Sequence, residues 1–189
     1  ANRELIKIST KREISFRYQG TFLGVTWALL NPFFMLIIYT LVFSEVFNAK
    51  WPGSSESKVE FGLILFIGLL VFNIFSDCIS QSPRLIIQNA NFVKKVIYPL
   101  EILPFVTLFT AIFHSLIGLI IWLLTYTFLI DVPSLTIFYL PIVLLPYFMV
   151  LAGLLFFLSS IGVFFRDLGQ VVSVIIPALM FLSPVFYSM

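Results

Sequence analysis

From Tyr18 through Ser44 the chain carries no charged side chain, and a run of that length leaves few folds open to it. A helix needs about 20 mainly apolar residues to cross the hydrocarbon of a bilayer, and this run supplies them. A short basic arm precedes it. Arg17, Tyr18 and Trp27, at the seam, are residue types that anchor a helix at the headgroup level. Asn31-Pro32 then sets a polar side chain and a helix breaker inside the span. Both are costly in lipid unless neighbouring helices supply hydrogen-bond partners. The chain as a whole is 60% hydrophobic and 11% charged, with a mean hydropathy of +1.09. Soluble domains carry about 25% charged residues, so a water-soluble core would not absorb this much apolar surface. The expected fold is an all-α membrane protein, a polytopic helical bundle.

The apolar runs place spans at 22–44, 61–80, 103–130, 139–165 and 168–189. Trp51-Pro52-Gly53-Ser54-Ser55 marks a turn-rich loop at 45–60, and Asp131-Val132-Pro133-Ser134 a tight turn. Basic residues collect on the cytoplasmic side of bacterial spans. Of the eleven Lys and Arg, nine fall on one side of this topology: Arg3, Lys7, Lys11, Arg12, Arg17, Arg84, Lys94, Lys95 and Arg166. Lys50 and Lys58 fall on the other. The amino terminus is therefore expected in the cytoplasm, with residues 1–20 as an arm there and 81–102 as a cytoplasmic connector. The first uncharged run is too long for the core of a signal peptide, about 7–15 residues. The chain opens on Ala1 and stops at Met189 with no charged flank after it, so it reads as a fragment trimmed at its end. A single domain is expected.

The apolar residues of the arm, Leu5, Ile6, Ile8, Ile14 and Phe16, do not fall on one clean stripe of a helical wheel. An amphipathic helix in the membrane interface and a solvated basic flank both fit. In the connector, Ser82 can N-cap a helix whose first position is Pro83. Its outer side would show Leu85, Ile86, Asn89 and Phe92, followed by Lys94 and Lys95, before Pro99 ends it. That side would meet either the membrane surface or a partner protein. Pro177 and Pro184 are expected to bend or break the last span.

Candidate chemistry is sparse. His114 is the only histidine and Cys78 the only cysteine, so neither a histidine metal cluster nor an internal disulfide can form; Cys78 reads as a small hydrophobe. No phosphate-binding GxxxxGK[ST] loop and no GxSxG is present. The acids Asp77, Glu101, Asp131 and Asp167 include three that sit beside basic residues on the same membrane side, a poor set for a membrane acyl- or glycosyltransferase. His114 lies in the third span, where an ionisable group is a pathway candidate or a hydrogen-bonded packing residue. Thr107, Thr110, Ala111, Gly118 and Thr125 share its side and would line a conduit or a helix contact. Met35, Tyr39, Phe43 and Phe47 follow one another at intervals of four, on one side of the first span. With Asn31 they form either a lipid-facing stripe or an aromatic track along which sugar rings could slide. Arg166 and Asp167 are expected to form a structural ion pair at a helix end.

Three stretches together resemble the membrane subunit of an ABC-2 type exporter, in the branch exporting polysaccharides and polyol phosphates such as O-antigen, capsule or teichoic acid. They are Arg17-Tyr18 with Gly20, Leu23-Gly24, Trp27 and Asn31-Pro32; Leu85-Ile86, Asn89, Phe92-Val93-Lys94-Lys95 and Pro99 to Pro104; and Phe165-Arg166-Asp167 followed by Pro184-Val185-Phe186-Tyr187. The resemblance implies a homodimer in the bacterial cytoplasmic (inner) membrane docked on two separate ABC ATPase subunits. ATP and Mg would be held by those partners, and this chain would carry no cofactor of its own. It also implies a lipid-linked glycan as substrate and no nucleic-acid partner. The connector would be the ATPase-coupling helix, the arm an interface helix, and Asn31, Met35, Tyr39, Phe43, Phe47 and His114 the conduit candidates. Six spans are expected in such a subunit, of which this sequence would hold five. A permease for a drug or a simple lipid is the alternative with the same architecture.

Overall fold

The computed structural model describes residues 2–42, 58–89, 99–131, 133–183 and 185, and helices are the only regular elements among them. Phe43, Phe47, Phe92, Lys94, Lys95 and Pro184 lie outside the described residues.

Helix α1, Asn2–Tyr18, explains why the arm shows no single stripe: it has two apolar faces. Ile6, Thr10 and Ile14, four residues apart, are half-buried and lead to the buried Tyr18. Leu5, Ile8 and Phe16 stay exposed on the other side. The chain then turns a corner into the first span. Gly20 (φ 83) and Gly24 (φ 54) both take left-handed backbone there, which costs an L side chain about 1–2 kcal/mol. The Thr21 hydroxyl donates to the Tyr18 carbonyl at 2.8 Å, and the Gly24 and Thr26 amides donate to Thr21 and Leu23. The first span follows as α2, Trp27–Leu41, with Pro32 inside it.

Helix α3, Lys58–Gln81, is the post around which the others stand. A helix apolar on all sides is a buried one. Leu63, Leu65, Leu69 and Cys78 are almost wholly buried, and α3 supplies residues to every packed cluster of the core. Helix α3 runs into a 3₁₀ turn, Ser82–Arg84, and a single α-turn, α4, Leu85–Gln88. Next come α5, Ile102–Leu129, and, after a 3₁₀ turn at Leu135–Tyr139, α6, Leu140–Phe164. Helix α7, Leu168–Leu182, follows with Pro177 inside it. Two side chains tie their helices to α3 backbone: Trp122 Nε1 donates to the Leu63 carbonyl at 2.9 Å, and Tyr147 Oη to the Val71 carbonyl at 2.8 Å. Segments Gly24–Leu41, Val59–Gln88, Ile102–Leu129 and Leu135–Phe164 are each long and apolar enough to cross a membrane. Helix α7 has 15 residues, about 22 Å at the α-helical rise against a hydrocarbon core of about 30 Å. Its last turn ends in Ser183 with ψ 140, the extended backbone that a following proline imposes.

The connector differs from its sequence-based expectation in two ways. Ser82 does not cap a helix. The backbone stays right-handed through Gln81 (φ −83, ψ −28), and the Ser82 hydroxyl turns back to the Ile79 carbonyl at 2.9 Å. An N-cap needs extended backbone, and none is present there. Leu85 is not on the outer side either. It is buried where α4 packs on α6, while Ile86 and Asn89 are half-buried and Ile87 is exposed. The close approach that buries it is set by Gly162, where a Cβ would collide with the Pro83 carbonyl oxygen.

Because backbone cannot swing aside as a side chain can, Gly162→Ala should destabilise the fold by about 1–3 kcal/mol. Gly153, on the same helix, has open space where a Cβ would stand, so Gly153→Ala should cost nothing. Thermal unfolding of the two variants in detergent checks both; equal midpoints would contradict the assigned contact.

Candidate functional site

Four helices leave a cavity of about 660 Å³ between them. The α2 wall is the row Trp27, Asn31, Met35 and Tyr39, spaced four apart, and so one above another on the helix. Phe66, Leu70, Asn73 and Asp77 face it from α3, and Ala111, His114 and Ser115 from α5. Arg17, Tyr18 and Thr21, where the arm meets the corner, close one end. From Trp27 to Tyr39 the wall is about 18 Å long at 1.5 Å per residue, over half of a hydrocarbon core about 30 Å thick.

That end is polar. Arg17 Nη1 lies 3.3 Å from Asp77 Oδ2, across sixty positions of sequence. Tyr18 lies beside them, its ring centroid 5.8 Å from that of His114. Burial pushes the Tyr18 phenol above its ordinary value; the neighbouring Arg17 draws it back and Asp77 adds to the rise. His114 Nδ1 sits 2.7 Å from the Thr110 carbonyl. A carbonyl only accepts, so this nitrogen carries the proton. Nε2 of the same ring is buried without a partner, as is Thr110 Oγ1. Deeper in, the wall is apolar and aromatic, with Asn31 and Asn73 as isolated amides. Such a cavity offers hydrogen bonds at one end and ring faces along its length. Among the described residues no three His, Cys, Asp or Glu side chains gather to hold a metal ion.

The structure thus brings together Arg17, Tyr18, Trp27, Asn31, Met35, Tyr39 and His114 around one space. The small face of α5 divides: Thr107, Thr110, Ala111 and Gly118 are buried, and Gly118 presses so closely on Leu70 that a Cβ would collide with it. This face is mainly a helix contact, with Ala111 reaching the cavity edge. Asn73 and Asp77 are the residues that sequence reasoning left unassigned to the site. Their spacing of four, on an otherwise apolar helix, was the available signal. The expected pairing of Arg166 with Asp167 is not formed. Both side chains are exposed, and the backbone carbonyl of Asp167 instead accepts the Gln170 and Val171 amides to start α7. Adjacent residues at a helix start point apart, and Arg17–Asp77 is the ion pair formed instead. Leu85 and Ile86 stand on α4 and Asn89 is its C-cap, away from the cavity.

The profile of the ABC-2 type transporter family matches residues 4–189. The chain belongs to the ABC-2 type transporter membrane family. As an ABC-2 membrane protein it is a transport subunit rather than an enzyme, and a multi-pass protein of the bacterial inner membrane. It is similar to an O-antigen export system permease protein RfbA of Myxococcus xanthus, 29% identical over 185 residues, covering 98% of this chain and 68% of the relative. Two proteins of the same name from Klebsiella pneumoniae are 24% and 25% identical, each over 98% of this chain and 69% of the relative. The stretches that carried the resemblance in the sequence fall, as far as they are described, at the corner and cavity wall, at α4 and the start of α5, and at the start of α7.

The Arg17 and Asp77 side chains are 37% and 41% exposed, so solvent and headgroups screen them and the pair is worth less than about 1 kcal/mol. Asp77→Asn should lower the unfolding midpoint of the detergent-solubilised protein only slightly, and less still at high salt. A large, salt-insensitive loss would place the pair in a dry interior.

Proposed function

We propose that this ABC-2 subunit moves a lipid-linked polysaccharide, of the O-antigen, capsule or teichoic-acid kind, outward across the cytoplasmic membrane. The observation that carries this reading is similarity over nearly the whole chain to proteins named O-antigen export permeases. The geometry supports it independently. The cavity sets amides, a histidine and an ion pair into an otherwise apolar bundle, and aromatic side chains such as Tyr39 and Trp27 line it. Ring faces pack against sugars without holding them by strong hydrogen bonds, which suits a polymer that must keep moving.

The remainder of the machine follows from this reading. Nine basic residues on one side put α1 and the connector in the cytoplasm. ATP is hydrolysed, with Mg, in separate ATPase subunits, two of which dock on the connectors of a permease homodimer. Ile86, Asn89, Phe92, Lys94 and Lys95 are the contact candidates there. Leu85, being buried, supports α4 from beneath. A homodimer completes the conduit: Asn31 and Met35 remain exposed on the cavity side of α2, where a second copy closes the wall.

In cells deleted for the gene, the full-length protein should restore surface glycan. Asn31→Leu and Tyr39→Ala should reduce it severalfold while the subunit still co-purifies with its ATPase. Lipid-linked glycan should then accumulate inside. Undiminished export by both variants would move the route elsewhere, and restoration of drug resistance without glycan would replace the substrate.

A further inference from the structure

A second cavity, of about 780 Å³, lies between α1 and α5, away from the conduit candidates. Its size is within the range of about 300–1,000 Å³ usual for small-molecule sites. Two chemistries meet in it. Arg3, Lys7 and Lys11 line it at intervals of four residues, a column of cations with a spacing of about 6 Å along the helix. Ile6 and Ile14 on the same helix and Phe109 and Phe113 on α5 form its apolar walls. Among the described residues none of the three cations lies within ion-pair distance of a carboxylate; Arg17–Asp77 is the pair formed. Glu4 is adjacent in sequence but does not line the cavity. One more group is unsatisfied: Thr10 lines the space, and its Oγ1 is buried with no hydrogen-bond partner.

Cations beside a greasy slot, with a hydroxyl waiting inside, fit a molecule that is anionic at one end and hydrocarbon at the other. We propose that this cavity holds one anionic phospholipid of the surrounding membrane, its phosphate on Lys7, Lys11 and Arg3 and an acyl chain between α1 and the two phenylalanines. Basic pockets beside membrane helices recognise such headgroups, and the anionic charge selects phosphatidylglycerol or cardiolipin over zwitterionic lipids. Bound there, the lipid fills the space between α1 and the bundle. It also neutralises the cation column, whose three side chains are exposed beside the apolar walls. The assignment needs only a membrane location, not the glycan-export reading, so either can fail without the other.

The test is native mass spectrometry of the full-length protein, titrated with phosphatidylglycerol or with phosphatidylcholine of the same acyl chains. The expected result is one tightly held phosphatidylglycerol per subunit, preferred by on the order of tenfold. Lys7→Gln/Lys11→Gln should abolish the preference, Lys7→Arg/Lys11→Arg should retain it, and Arg166→Gln, a distant exposed cation, should leave it unchanged. Equal binding of the two lipids, a preference that survives Lys7→Gln/Lys11→Gln, or loss of the preference in Lys7→Arg/Lys11→Arg as well would overturn the site. Displacement by inorganic phosphate alone would make it a phosphate site and overturn the lipid.

Discussion

A backbone crossing hydrocarbon finds no water, so its amides and carbonyls must be satisfied within the segment. At two places where the chain departs from a plain helix, other groups supply what the backbone gives up. The corner at Gly20 and Gly24 is closed by the Thr21 hydroxyl and local amides. The break at Ser82–Arg84 is locked by the Ser82 hydroxyl and by the bare face of Gly162. In lipid, apolar surface gains little by burial against other apolar surface, and close packing becomes the glue. That is why glycines at contacts, Gly118 against Leu70 and Gly162 against Pro83, govern how near the helices come.

Helix α3 makes the arrangement a single body. Its neighbours α2, α5, α6 and α7 all pack on it, and Trp122 and Tyr147 reach its carbonyls from two of them. The cavity exists because one strip of α3 is covered only in part: Phe66 and Leu70 are packed, while Asn73 is exposed and Asp77 half-buried. From Phe66 to Asp77 that strip faces the Trp27–Tyr39 row of α2 across open space. Polar groups that would be costly against lipid collect on the two sides of this gap, with Arg17–Asp77 across its end. The proposed polysaccharide path needs such a seam, and the gap runs along the helix on which the others pack.

Local patterns in the sequence were enough for the helical bundle, for long apolar helices near four of the five expected spans and for most of one cavity wall; the fifth expected span is the shorter helix Leu168–Leu182. A period of four along α2 is a property of neighbouring residues, and the wall of that helix follows from it. Contacts between distant segments were not legible. Nothing near Arg17 or Asp77 in sequence announces that they meet. Arg166 and Asp167 looked paired because they are adjacent, yet adjacency at a helix start separates side chains. Ser82-Pro83 carries an N-cap signal, but the backbone stays right-handed from α3 into a 3₁₀ turn that packs against α6. Leu85 looked exposed for the same reason: a short apolar turn reads as surface until the helix that covers it is in place.

The proposed path makes the gap between α2, α3 and α5 a wet seam inside an apolar bundle. Cysteine accessibility in intact membranes tests it directly, and the native Cys78, fully buried, provides a quiet background. Asn31→Cys, Met35→Cys and Asn73→Cys should react with a small water-soluble thiol reagent. Ile120→Cys and Leu124→Cys, on the exposed apolar face of α5, should not. Protection of all three cavity positions, or equal labelling of both sets, would contradict the account.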